Sequence, residues 1–273
     1  MNNLLKCIKY FVRKINANKI GAFSAQTAFF IFLSLIPLIV LFFSLAQGLG
    51  ATTDHLASAA NKFTPDAISS FFETYIDEIL TPEKKSLTII SSFVLLWSAS
   101  RGIFSIIGGL NSVYEIKEER NYLSLRLMAM LYTITFLVML IIALVLFVFG
   151  SAICDILYSL FPNIRSLVYL FSSLRFIIGF LILTLFFSLL YKSLPSKPLR
   201  FTEQIPGALI TSAGWVSFSL IFSVFIENFS NYSNLYGSLT AIIVLLLWLY
   251  NCMYIMFAGA QVNRIVTLKA NKH

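Results

Sequence analysis

The sequence predicts an all-α polytopic membrane protein with about six transmembrane helices, an N-terminal interfacial helix and an outer amphipathic helix. Composition is the first reason: of 273 residues, 58% are hydrophobic and only 12% charged, against about 25% charged in a soluble domain. Too few polar residues remain to cover a soluble surface. The second reason is that the apolar residues come in runs, and roughly 20 apolar residues span a hydrocarbon core about 30 Å thick. Backbone groups in lipid must pair within their own segment, so such runs become helices.

Residues 1–20 carry Lys6, Lys9, Arg13, Lys14 and Lys19, with Leu4, Ile8, Phe11 and Ile15 on one narrow helical face. That pattern fits a helix lying on an anionic leaflet. The apolar run from Ala25 to Ala46 is longer than the core of a signal peptide. It reads as a first span over 25–46, kinked at Pro37. Residues 47–86 form a polar segment. Within it, Thr64-Pro65-Asp66 supplies helix-start signals, and Ile68, Phe71, Phe72, Tyr75, Ile76 and Ile79 recur at helical spacing until Thr81-Pro82. Five further spans are expected at about 87–107, 127–150, 173–191, 205–226 and 238–262, so 1–273 is one membrane domain. Gly207, Thr211 and Gly214 give the fifth span a small-residue face suited to close helix packing.

Basic residues fix the expected orientation. The two tails and the second and fourth loops hold fourteen Lys and Arg, whereas the opposite side holds five: Lys62, Lys84, Lys85, Arg165 and Arg175. Both termini are therefore expected in the cytoplasm and 47–86 outside. The net charge of +8 points to anionic lipid headgroups on the cytoplasmic side. Nucleic acid is not indicated, because no basic stripe stands apart from the spans.

Polar groups at membrane depth mark candidate sites. Arg101, within a span, either snorkels or pairs structurally, or contacts a substrate or lipid phosphate; its guanidinium is expected to face the bundle interior or a cavity. Asn251, near the middle of the last span, is expected to bridge two helices. Glu227 closes the fifth span and precedes a polar, aromatic segment that includes Tyr236. Gln261 and Asn263, at the inner end of the last span, either line a vestibule or cap the helix.

Catalytic chemistry is poorly represented. Histidine occurs only at His55 and His273, and no HExxH, Walker A or GxSxG pattern is present. Glu115, Glu118 and Glu119 read as a solvated charged loop. Cys7, Cys154 and Cys252 lack metal or disulfide spacing. The expectation is a non-enzyme with no cofactor and no metal.

Several segments in order resemble the YihY/BrkB family of bacterial inner-membrane proteins. They are Ser34-Leu35-Ile36-Pro37-Leu38, Trp97 to Arg101 with Leu110-Asn111 and Tyr114, Pro206-Gly207-Ala208, Tyr232 through Leu239, and Leu245 to Tyr250 with Gly259-Ala260-Gln261-Val262-Asn263. The resemblance covers nearly the whole chain and adds Asn111 and Tyr114 to the candidate binding residues. It implies a six-helix inner-membrane protein, sometimes labelled ribonuclease BN, with loose links to envelope function and virulence. One position departs from it: Gln261 stands where the family usually has an acid. The function expected is moving or organising an amphiphilic envelope molecule such as a lipid. The alternatives are a non-transporting scaffold and, less favoured, a membrane-embedded hydrolase or nuclease.

Overall fold

Apolar runs that pair their own backbone become helices, and a computed structural model describes residues 2–48, 85–148, 165–197, 199–228 and 238–270. Among them seven helices follow in order: α1 (Asn2–Ala17), α2 (Ile20–Gly48), α3 (Lys85–Tyr114), α4 (Tyr122–Val148), α5 (Arg165–Ser193), α6 (Phe201–Asn228) and α7 (Ser238–Ala270). No strand occurs among the described residues. The expected amphipathic helix over 68–79 lies outside them.

The helices are longer than the predicted spans: α3 runs on to Tyr114 and α7 to Ala270. At about 1.5 Å per residue, the 33 residues of α7 extend about 50 Å, well beyond the hydrocarbon core. Hydropathy finds only the apolar middle of such a helix. α2 continues as helix through Pro37. Within the described residues, 201–226 and 242–268 are long and apolar enough to cross a membrane.

Packing is close where side chains are small. α2 packs most extensively on α3, and α7 touches α2, α3 and α6, with α5 outside α6 and α4 outside α3. A Cβ on Gly109 of α3 would run into the Phe257 ring of α7. A Cβ on Gly207 of α6 would meet the Gly259 carbonyl and Asn263, and one on Gly259 would meet Thr211. The small-residue face expected on this helix is therefore its contact with α7. At the same level the Tyr191 hydroxyl donates to the Met256 carbonyl at 2.6 Å and lies 2.7 Å from the Thr211 hydroxyl, tying three helices together.

Ile106, Ile107, Leu110 and Val113 of α3 and Met256 and Phe257 of α7 form the buried centre. The outer faces stay apolar: Leu127 and Leu131 of α4, Leu181 of α5, and Leu220 and Ile221 of α6 are all exposed. Apolar exposure on this scale marks a surface that meets something other than water. α1 adds a correction. It does not merely lie on a leaflet, since Ile15 is buried in the bundle and Phe11 packs against it.

Candidate functional site

One end of the bundle, rich in Lys and Arg, gathers four of the sequence-selected residues: Asn111 and Tyr114 at the end of α3, and Gln261 and Asn263 toward the end of α7. All four are buried. The Tyr114 hydroxyl donates to Gln204 Oε1 at 2.6 Å. Asn263 Nδ2 donates to the same oxygen and to the Gln204 carbonyl, both at 3.1 Å. Its Oδ1 accepts from the Gly207 N–H at 2.6 Å. Pro206 lies inside α6 and has no N–H to give, so Asn263 secures the backbone on both sides of that interruption. The buried Tyr114 phenol serves as a neutral donor. Gln261 Oε1 accepts from Asn18 Nδ2 at 2.8 Å, joining α7 to the α1–α2 turn.

A second group joins the two loops. Asn111 Nδ2 donates to Glu118 Oε2 at 2.8 Å and to Ser196 Oγ at 3.0 Å, and its Oδ1 accepts from the Ser196 N–H at 2.9 Å. Arg120 forks onto Glu118, with Nε to Oε1 at 2.8 Å and Nη2 to Oε2 at 2.9 Å. It also reaches the Leu194 carbonyl at 3.3 Å. Hydrogen bonds from Arg120, against a smaller opposing burial effect, hold the Glu118 carboxyl down to about 2.

The third group closes the end. Glu115 pairs with Lys14 of α1 and Arg264 of α7, and these hydrogen bonds, Lys14 first, lower its pKa. Glu115 sits at φ 57°, just past α3. The N–H groups of Ile116 and Glu115 close back on the Asn111 and Ser112 carbonyls, at 2.8 and 3.3 Å. This is the helix-stop geometry that usually takes glycine. A cleft of about 160 Å³ opens beside the network, lined by Tyr114, Lys197, Glu203, Gln204, Arg264 and Thr267.

The arrangement works as a latch. Its donors and acceptors face one another across four helices, the α1–α2 turn and two loops, and among the described residues no group of three or more His, Cys, Asp or Glu could hold a metal ion.

Several expectations are corrected. Gln261 and Asn263 neither line a vestibule nor cap a helix, because α7 continues two turns past them. Glu115 and Glu118 are ion-paired rather than merely solvated. Arg101 does not face the interior: it is exposed, with its guanidinium carbon 5.5 Å from the Phe30 ring centre. Asn251 does not bridge helices; its Nδ2 donates to the Leu247 carbonyl of its own helix at 2.8 Å, the partner that i−4 geometry offers first. Glu227 closes α6, with its side chain outside the described residues, and Tyr236 lies outside them as well. Asn18, Glu118, Arg120, Ser196 and Gln204 were not selected from the sequence. Only Gln204 carried a signal there, as a polar residue entering an apolar helix beside Pro206-Gly207.

Comparison with known proteins gives a consistent answer. Residues 11–273 match the family model described as virulence factor BrkB. A putative ribonuclease-like protein, YfkH, of Bacillus subtilis is 30% identical over 243 residues, covering 89% of this chain and 88% of that protein. A UPF0761 membrane protein of Aliivibrio fischeri is 27% identical, covering 93% of this chain and 81% of its own length. Another, from Vibrio vulnificus, is 24% identical over 94% of this chain and 80% of its own length. No solved structure matches.

Proposed function

The chain belongs to the BrkB virulence factor family of membrane proteins, and on that premise we infer that it moves or organises an amphiphilic envelope molecule, a lipid, at the bacterial inner membrane. The proposed topology is six crossings by α2 to α7, with both termini cytoplasmic and anionic headgroups against the basic end. The observation that carries the lipid reading is the placing of polar groups. At mid-helix, Thr133, Thr184, Ser188 and Asn251 all bond back into their own helices, and the buried Thr27 and Ser105 hydroxyls between α2 and α3 bond to each other at 3.0 Å. Arg101, by contrast, is exposed, with its guanidinium over the Phe30 ring. An amphiphile handled along the outside of the bundle needs that arrangement; a small ion needs the reverse.

Catalysis is not part of this reading. The ribonuclease-like name belongs to the Bacillus relative, and the described acids Glu115, Glu118, Glu119 and Glu203 are each paired with a cation. A specific observation favours a second reading, a static scaffold: the latch at the basic end is closed and almost fully satisfied.

The two separate in vesicles. The purified chain, reconstituted with fluorescent phosphatidylglycerol, should let a membrane-impermeant quencher reach inner-leaflet probe over time. A signal that stops at the outer-leaflet fraction, as in protein-free vesicles, would leave the scaffold. Orientation is tested in cells with Ala60→Cys and Lys269→Cys in a background lacking the native cysteines. Only the first should label from outside, and the reverse pattern would sink the topology.

A further inference from the structure

Away from the latch, the α3–α4 edge concentrates charge without a counter-charge among the described residues. Phe93, Trp97 and Arg101 of α3 stand four residues apart, hence on one face, and all are exposed. Phe93 stacks on Trp97 with ring centres 6.1 Å apart. Leu123, Leu127 and Leu131 of α4 repeat the same spacing and are exposed too. Between these stripes lies Arg126, only 5% exposed. Its Nη2 donates to the Trp97 carbonyl at 2.8 Å, and its guanidinium carbon stands 4.2 Å from the Trp97 ring centre. Its Nε is buried with no partner. Arg101 follows Trp97 by four residues and so stands one turn along the face of α3 that Arg126 contacts. No described carboxylate offsets these two charges, because Glu115, Glu118, Glu119 and Glu203 are committed to other cations.

A buried guanidinium with an unmade hydrogen bond and a like charge beside it is costly unless an anion completes it. One carbonyl and one aromatic face offset part of that cost. We propose that this edge binds the phosphate of an anionic phospholipid. Arg101, at the surface, supplies a fork that matches phosphate oxygens. Arg126, behind Trp97, supplies a second unneutralised charge that draws the phosphate to this edge through space. Phe93, Trp97, Leu123 and Leu127 give the acyl chains an apolar bed. The proposal deepens the lipid reading by naming the ligand class. It is measured as binding, so it stands or fails separately from any movement of lipid.

The test is native mass spectrometry of the purified full chain in detergent, with phosphatidylglycerol and phosphatidylcholine offered at equal concentration. Wild type should retain phosphatidylglycerol in preference to phosphatidylcholine. Arg101→Gln and Arg101→Gln/Arg126→Gln should each lose about tenfold or more in apparent affinity, the size expected when hydrogen bonds to a charged group are removed. Equal retention by wild type and Arg101→Gln would overturn the proposal, as would equal retention of the two lipids. Inorganic phosphate that displaces the lipid at matched concentration would overturn the lipid as the source of the anion. If Arg126→Gln does not fold, Arg101→Gln still decides the matter, since that side chain is on the surface.

Discussion

The basic end and the α3–α4 edge both gather charged side chains, and they are built on opposite terms. At the basic end Gln204, Asn263, Tyr114 and Asn111 exchange hydrogen bonds with one another and with backbone groups at 2.6–3.1 Å. Each carboxylate there has its cation. At the edge, two guanidiniums share one neighbourhood with a tryptophan face, one carbonyl and, among the described residues, no carboxylate. Satisfied polar groups in a low-dielectric setting hold structure rigid, whereas unsatisfied ones store free energy that a ligand can release. A dense polar cluster is therefore not by itself the best candidate for binding. Arg264 keeps the contrast from being absolute, since its Nε is also buried without a partner; it borders the 160 Å³ cleft.

The largest expected effect tests whether the basic end is structural. Asn263→Ala removes the acceptor of the Gly207 N–H and the donor to both Gln204 oxygens, in a site with no exposure. Leaving buried groups unpaired costs about 1–3 kcal/mol. Asn251→Ala, one helix stretch away, removes only a bond back to Leu247 and should stay within about 0.5 kcal/mol. Melting midpoints in detergent should separate the two clearly, with Asn263→Ala well below wild type. If both variants melt with wild type, the latch contributes nothing and its satisfied geometry is incidental.

The same pair of asparagines marks what was legible in the sequence. The all-helical class followed from apolar run length, and a close-packing face on α6 from Gly207, Thr211 and Gly214, though not which helix it meets. The ends did not follow. Hydropathy stops where polar residues begin, so the last turns of α3 and α7 were cut off at 107 and 262, and these turns carry the latch. Asn251 was misplaced because sequence position gives depth, whereas the helix itself offers a carbonyl four residues back. Arg101 was placed inside because exposure to lipid is costly for a charge. The structure meets that cost partly with Phe30, and the residue that completes the picture, Arg126, counted in sequence only as a basic residue of the second loop.

A smaller effect sharpens the contrast, through acid. Glu118 holds Arg120, Asn111 and, through them, the Leu194–Ser196 segment. Its carboxyl is lowered from the ordinary 4.5 to about 2, chiefly by hydrogen bonds from Arg120. A carboxylate depressed on folding stabilises the native state above its unfolded pKa, and the contribution disappears as pH falls through the folded value. The tie between the two loops should therefore weaken progressively between about pH 4.5 and 2. The α3–α4 edge has no described carboxylate to titrate in that window. Hydrogen exchange on the purified chain should show faster exchange across 115–121 and 193–197 as pH is lowered, after correction for intrinsic rates, while 97–104 keeps its protection. Glu118→Gln should remove that pH response at 193–197, because the amide cannot titrate, while Glu115, lowered by Lys14 and Arg264, still responds at the start of 115–121. Should 97–104 open in step with the loops, the two regions are one cooperative unit, and the division between a rigid latch and a separate binding edge fails.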